Sequence, residues 1–265
     1  MIELKTDKML AEKAEGIGWM TFNNPARRNA TSLEMWQAIA DILDDFGADP
    51  AVRVVVMRGA GDKAFVSGAD ISQFEAQRAD AEAAARYNAV AEDARVAMAA
   101  LEKPLIAMIR GYCLGGGVAI AMAADMRFAS EDSSFGIPAA RLGISYGFGY
   151  LKKLVDLVGP AYAKEMLLTA RRFGAEEALR IGLVNRVVPV AELEATVLEV
   201  CAAIIDNAPL SIISNKATID EVAKDPGARD MARIEELGRL CFDSADYAEG
   251  RRAFMEKRKP VWSGT

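Results

Sequence analysis

Hydrophobic and polar positions along the chain switch between two periods. Residues 9–14 and 17–22 keep a strand-like pattern and are split by Glu15-Gly16, which predicts two strands joined by a tight turn. From 31 to 46 the period changes. Leu33, Trp36, Ile39, Ile42, Leu43 and Phe46 recur at helical spacing behind Thr31 and Ser32, either of which can cap a helix. Residues 52–57 form a continuous β-branched run, the mark of a strand covered on both faces. An alanine-rich helix is predicted over 79–101, a second buried strand over Leu105–Ile109, a buried helix over 117–124, and short strands over 126–129 and 133–135. Beyond Gly149 the pattern is mostly helical, with breaks at Gly159-Pro160, Phe173-Gly174, Pro189, Pro209 and Asp225-Pro226-Gly227. The chain divides into an α/β core over 1–189 and a helical C-terminal region over 190–265.

Composition narrows the chemistry more than it narrows the fold. At 265 residues, with 52% hydrophobic and 26% charged residues, the chain is long enough to bury a large core. A net charge of −6 argues against general nucleic-acid binding, so an anionic ligand needs a local basic patch. Cys113, Cys201 and Cys241 are scattered and odd in number, which argues against a disulfide framework or a zinc cluster. No apolar run reaches the length of a membrane span, and residues 1–5 lack a basic-then-apolar leader pattern. A cytoplasmic protein is therefore expected, with no nucleic-acid or membrane partner and no metal. Histidine is absent altogether, which removes the usual general base and the Ser-His-Asp and Cys-His systems.

Two segments about fifty residues apart carry the candidate chemistry. The first is Phe65-Val66-Ser67-Gly68-Ala69-Asp70, and the second is Gly111-Tyr112-Cys113-Leu114-Gly115-Gly116-Gly117. Each places small residues where a strand turns toward a helix, so that helix-start N–H groups without internal partners face a ligand. Two such donors converging on a thioester carbonyl make an oxyanion hole for an enolate or a tetrahedral oxyanion. Taken one at a time, each glycine is better explained by a turn or by close packing, and it is the two segments together that reverse this.

The ordered blocks Asn23-Asn24-Pro25 to Asn29-Ala30, Ala64 to Ile71, Lys103-Pro104-Leu105-Ile106-Ala107, Gly111 to Gly117, Phe135-Gly136-Ile137-Pro138, Gly182-Leu183-Val184-Asn185 and Phe254-Met255-Glu256-Lys257-Arg258 resemble the crotonase family, the enoyl-CoA hydratase/isomerase superfamily, over nearly the whole length. The resemblance implies a spiral of repeated ββα units with a helical C-terminal trimerisation region. It implies acyl-CoA substrates of the kind met in fatty acid metabolism, with CoA as the carrier part of the substrate and no separate cofactor. Homotrimers, often stacked as hexamers, are the implied assembly, and Leu237, Leu240, Cys241 and Phe242 are candidate contacts between subunits. Carried over by position, the oxyanion donors are the backbone N–H groups of Ala69 and Gly116. Arg27 and Arg28 are placed near the CoA phosphates, Lys257 near the nucleotide, and Phe254 along the acyl pocket. Solvated basic faces are the plainer reading of these cations.

The chain departs from the family where its hydratases do their chemistry. The two glutamates that activate water correspond here to Ala119 and Ala139, and a methyl group neither accepts nor donates a proton. The aspartate of dienoyl isomerases falls near Gly147. Tyr146 stands where a methylmalonyl-CoA decarboxylase branch has a tyrosine that orients the substrate carboxylate. That branch also has a histidine where this chain has Ala69, and it keeps the first glutamate. A packing role for Tyr146 weighs evenly against a chemical one. Glu75 follows the first segment and is better read as a solvated helix residue than as a base. Three readings follow: an acyl-CoA lyase or isomerase with altered chemistry, a malonyl-type decarboxylase using Tyr146, and a silent CoA-binding or assembly protein.

Overall fold

A computed structural model describes residues 2–70 and 81–265, with the side chains of 81–88 left aside. The predicted first hairpin forms as β1 (Met9–Ala14) and β2 (Ile17–Phe22), paired antiparallel through the Glu15-Gly16 turn. The helical pattern becomes α1 (Leu33–Ala48), which starts after Ser32. The Ser32 hydroxyl does not cap the helix; it donates to Glu34 Oε2 at 2.7 Å. The chain then passes three times between two sheets. β3 (Val54–Gly59), β5 (Leu105–Ile109) and β7 (Met126–Ser130) enter a larger sheet, while β4 (Ala64–Val66), β6 (Tyr112–Leu114) and β8 (Ser134–Gly136) enter a smaller one. β9 (Phe173–Gly174) and β10 (Arg186–Val188) complete them, giving the orders β1-β2-β3-β5-β7-β10 and β4-β6-β8-β9. All pairings are parallel except β1 with β2 and β8 with β9. This is the spiral α/β architecture expected from the sequence.

The β-branched run explains why the larger sheet is covered on both sides. Along β3, Val55 and Met57 join the main core, while Val54 and Val56 join a second cluster on the opposite face. That second cluster holds Ile17, Trp19, Ile106 and Phe128, and it is closed by Leu193, Val197 and Cys201. A strand buried on both faces has no polar alternation to show, so the continuous Val run is what the packing requires.

The remaining α-helices among the described residues are α2 (Ala81–Ala100), α3 (Gly116–Ala123), α4 (Phe148–Thr169), α5 (Ala175–Arg180), α6 (Leu193–Ile205), α7 (Pro209–Val222), α8 (Met231–Asp243) and α9 (Ala245–Glu256). Leu193, Val197 and Cys201 thus place α6 against the larger sheet. α4 is interrupted at Gly159, which has φ +74°, just before Pro160. The region after Gly149 also contains β9 and β10. At two and three residues they are too short to show a period in sequence. α7 is tied back to the core by Lys216, whose ammonium meets Asp125 at 2.9 Å and donates to the Lys103 carbonyl at 2.9 Å. Among the described residues no single helix is long and apolar enough to cross a membrane.

Candidate active site

The first glycine segment leaves β4, which is fully buried, and docks along the loop before α1. Thr31 donates its N–H to the Gly68 carbonyl at 2.8 Å, and Asp70 donates to the Thr31 carbonyl at 3.0 Å. This is a parallel bridge between Thr31 and Ala69. In such a bridge the flanking residues make the hydrogen bonds, so the N–H of Ala69 points the other way. Ser67 is held by the preceding loop: its N–H donates to the Arg28 carbonyl at 3.1 Å and its hydroxyl to the Arg27 carbonyl at 3.3 Å. Gly68 sits at φ +111°, a conformation that favours glycine.

The second segment faces it. β6 ends at Leu114, Gly115 turns the chain, and α3 begins at Gly116. Gly115 donates its N–H to the Gly136 carbonyl at 2.8 Å. The N–H of Gly116 is the first of the helix and has no partner within it. A Cβ on Gly116 would stand 3.9 Å from the Ala69 nitrogen and 3.9 Å from Gly68 Cα. Gly117 is required for a harder reason, since a Cβ there would lie 2.0 Å from the Val66 carbonyl oxygen. The rest of α3 is apolar, with Val118, Ile120, Ala121 and Met122 buried, so its N-terminus is firmly aimed.

Tyr146 completes this corner. Its hydroxyl lies 3.9 Å from where a Cβ of Gly115 would stand. Ala69, Gly115, Gly116 and Tyr146 thus come together from three separate parts of the sequence. Ala139 is buried in the short helical turn Pro138–Leu142, and Ala119 is half-buried in α3. Tyr146 stacks on Tyr150, with ring centroids 4.3 Å apart and planes 28° from parallel. The Tyr150 hydroxyl is buried and has no hydrogen-bond partner among the described residues. Burial pushes the Tyr146 phenol above its ordinary pKa. It pushes Tyr150 up further, reinforced by Tyr146 and by the buried thiol of Cys113. Both are therefore neutral hydrogen-bond donors rather than bases.

The other expected site residues lie elsewhere. Arg27 ends a short helical turn, and Arg28 follows it at φ +52° with its guanidinium 5.3 Å from the Tyr112 ring centre. Both border the first segment through Ser67. Phe254 is 83% exposed near the end of α9, and Lys257 follows as its left-handed cap at φ +53°. Glu75 lies outside the described residues. Tyr150 was not singled out in the sequence. Its only signal there is a second tyrosine four residues after Tyr146, across the start of a helix.

A family model described as enoyl-CoA hydratase/isomerase matches residues 12–265. The chain belongs to the enoyl-CoA hydratase/isomerase family. It is similar to the crotonyl-CoA hydratase of Syntrophomonas wolfei, 38% identical over 253 residues covering 96% of each chain. It is also similar to the carnitinyl-CoA dehydratase of Escherichia coli, 35% identical over 92% of this chain and 94% of that one. A crystal structure of an enoyl-CoA hydratase/carnithine racemase from Magnetospirillum magneticum superposes with a TM-score of 0.93 at 37% identity, covering 98% of this chain and 97% of that one. Membership of this crotonase family makes the chain an enzyme acting on acyl-CoA thioesters. The alanines that stand in place of the expected carboxylates lie on α3, at Ala119, and in the turn Pro138–Leu142, at Ala139.

Proposed function

We propose that this family member binds the thioester carbonyl of an acyl-CoA between the N–H groups of Ala69 and Gly116. The enolate that forms there does so without help from glutamates at 119 and 139. The observation that carries this reading is the approach of the two segments, with a Gly116 Cβ position only 3.9 Å from the Ala69 nitrogen. Preorganised donors of this kind stabilise charge as it develops on the carbonyl oxygen. Alanines at 119 and 139 leave no carboxylate to activate water, so hydration of a simple enoyl-CoA is expected to be slow. Each absent acid/base group is typically worth about 10²–10⁴-fold.

A second reading is favoured by the Tyr146 hydroxyl beside Gly115. Decarboxylation of a malonyl-type thioester needs no general base. The bond from the α-carbon to the carboxylate breaks, its electron pair enters the enolate, CO₂ leaves, and a proton then returns to the α-carbon. A neutral phenol next to the hole suits orientation of the departing carboxylate. Arg27 and Arg28 are assigned to the CoA phosphates because they border the first segment, and Lys257 and Phe254 to the nucleotide and acyl pocket. A trimer, or two stacked trimers, would cover Phe242 and Phe254, which are 68% and 83% exposed in the single chain.

The test is turnover of crotonyl-CoA and of malonyl-type thioesters by the protein and by Gly116→Val. Crotonyl-CoA hydration is expected to be weak. Gly116→Val is expected to remove whatever turnover is found, a loss of about 3 kcal/mol in transition-state stabilisation. Efficient hydration by the unaltered protein would overturn the reading, and so would full activity in Gly116→Val. Tight thioester binding with no turnover of any substrate would favour the silent CoA-binding protein.

A further inference from the structure

The Tyr150 hydroxyl is the feature of this corner that packing does not explain. Buried polar atoms almost always have a partner, and one left without costs more than the net gain of an ordinary hydrogen bond. Phenylalanine at 150 would keep the ring, the stack on Tyr146 and the burial, and would remove that cost. The hydroxyl is nevertheless present, in the first turn of α4 and directly behind the tyrosine that borders the oxyanion segments.

Its surroundings point to a ligand. Cys113, whose buried thiol helps to raise the pKa of the Tyr150 phenol, lies on β6 two residues before Gly115. Tyr150 is joined to the Gly115 corner through Tyr146, which stacks on it and whose hydroxyl lies beside Gly115. Tyr146 stacks against it and is half-buried, on a loop whose Gly143, Gly147 and Gly149 have nothing within 4 Å of a Cβ position. Both tyrosines pack against the main core, and the face of Tyr150 that Tyr146 stacks on is covered by a ring carried on an open loop. Both phenols are neutral, so what they offer a ligand is hydrogen-bond donation.

We propose that Tyr150 is a specificity-determining residue of the acyl subsite, and that its unpartnered hydroxyl is satisfied by an oxygen acceptor on the acyl group once the Tyr146 ring shifts off it. The class of ligand is an acyl-CoA that carries an oxygen beyond the thioester carbonyl, as a carboxylate or as a hydroxyl or keto group. A plain saturated acyl chain leaves the hydroxyl without a partner. This rests on the thioester-binding reading above.

The experiment is titration calorimetry with butyryl-CoA, 3-hydroxybutyryl-CoA and succinyl-CoA, on the unaltered protein and on Tyr150→Phe, with thermal melts of both. Binding of at least one acceptor-carrying thioester about tenfold tighter than butyryl-CoA is expected, the worth of one well-placed hydrogen bond to an otherwise unsatisfied group. The hydroxybutyryl and succinyl arms tell a hydroxyl acceptor from a carboxylate. In Tyr150→Phe the ratio of affinities, acceptor-carrying over butyryl, is expected to fall to near one, while the melting temperature holds or rises. Equal affinity for all three thioesters in the unaltered protein overturns this proposal and leaves thioester binding standing. That comparison is decisive even if the variant does not fold. A Tyr150→Phe variant that keeps the ratio, or that melts lower, also overturns it. Failure of every thioester to bind overturns both readings.

Discussion

Gly117 and Gly147 both belong to the candidate site, yet they are glycines for opposite reasons. A Cβ on Gly117 would sit 2.0 Å from the Val66 carbonyl oxygen, whereas one on Gly147 would meet nothing within 4 Å. The same contrast runs through the two walls of the site. The donor wall is made by strands and a buried helix pressed backbone against backbone. The acyl wall, 141–149, is exposed along nearly its whole length apart from Tyr146. A wall under steric compulsion cannot change without refolding. A wall in open space, such as 141–149, can change its side chains at little structural cost. The glycine segments are therefore fixed by packing and 141–149 is free to vary, while Ala119 and Ala139 lie outside that open stretch, on α3 and in the turn Pro138–Leu142.

The comparison breaks most readily at Gly117. Replacing it with alanine should destabilise the fold by about 3 kcal/mol, the upper part of the usual range for overpacking, because backbone atoms must move. The gain in helix propensity of about 1 kcal/mol is too small to offset this. Urea denaturation would measure it, and a variant as stable as the original would show that the two backbones are not in enforced contact.

Alkaline pH sharpens the comparison from the acyl side. Burial holds the Tyr146 and Tyr150 phenols above their ordinary pKa in the folded chain. The unfolded chain therefore loses those protons first, and stability should fall as pH rises through about 10. Melting temperature followed upward from neutral pH should show this loss, and Tyr150→Phe should reduce it. An unchanged alkaline slope in that variant would place the Tyr150 hydroxyl in contact with water.

The smallest effect is expected at Gly147. Its φ of −72° and ψ of 162° suit any residue. Gly147→Ala should change stability by no more than about 0.5 kcal/mol, the usual range for a surface substitution. A larger loss would mean that the open wall is packed against something in the working protein, and the contrast drawn above would fail.

The sequence showed the donor wall far better than the acyl wall, and the reason is physical. A left-handed turn at Gly115 and close backbone approach at Gly117 both favour glycine, so the run Gly115-Gly116-Gly117 can be seen without coordinates. The hairpin of β1 and β2 and the strand at Leu105–Ile109 were legible to the residue, because Glu15-Gly16 marks the turn and a short apolar run after Pro104 marks the second strand. β4, β6, β9 and β10 are two or three residues long and exist because distant strands offer them partners. No local pattern announces them. Tyr150 was hidden for a similar reason. A missing hydrogen bond is a property of what surrounds a hydroxyl, and the stack on Tyr146 that covers it exists only once the loop meets α4.

The pairing of β7 with β10 bears on how the protein is made. Met126–Ser130 is an internal strand of the larger sheet only because Arg186–Val188 lies against it. The ribosome delivers those three residues more than fifty positions after β7. Until then a growing chain presents β7 as a bare edge, beside the Val- and Ile-rich strands β3 and β5. Unpaired edges of this kind recruit other chains. Stalled or truncated products ending before Arg186 should therefore be the aggregating species during synthesis. The last turn of the spiral seals the sheet as well as completing it.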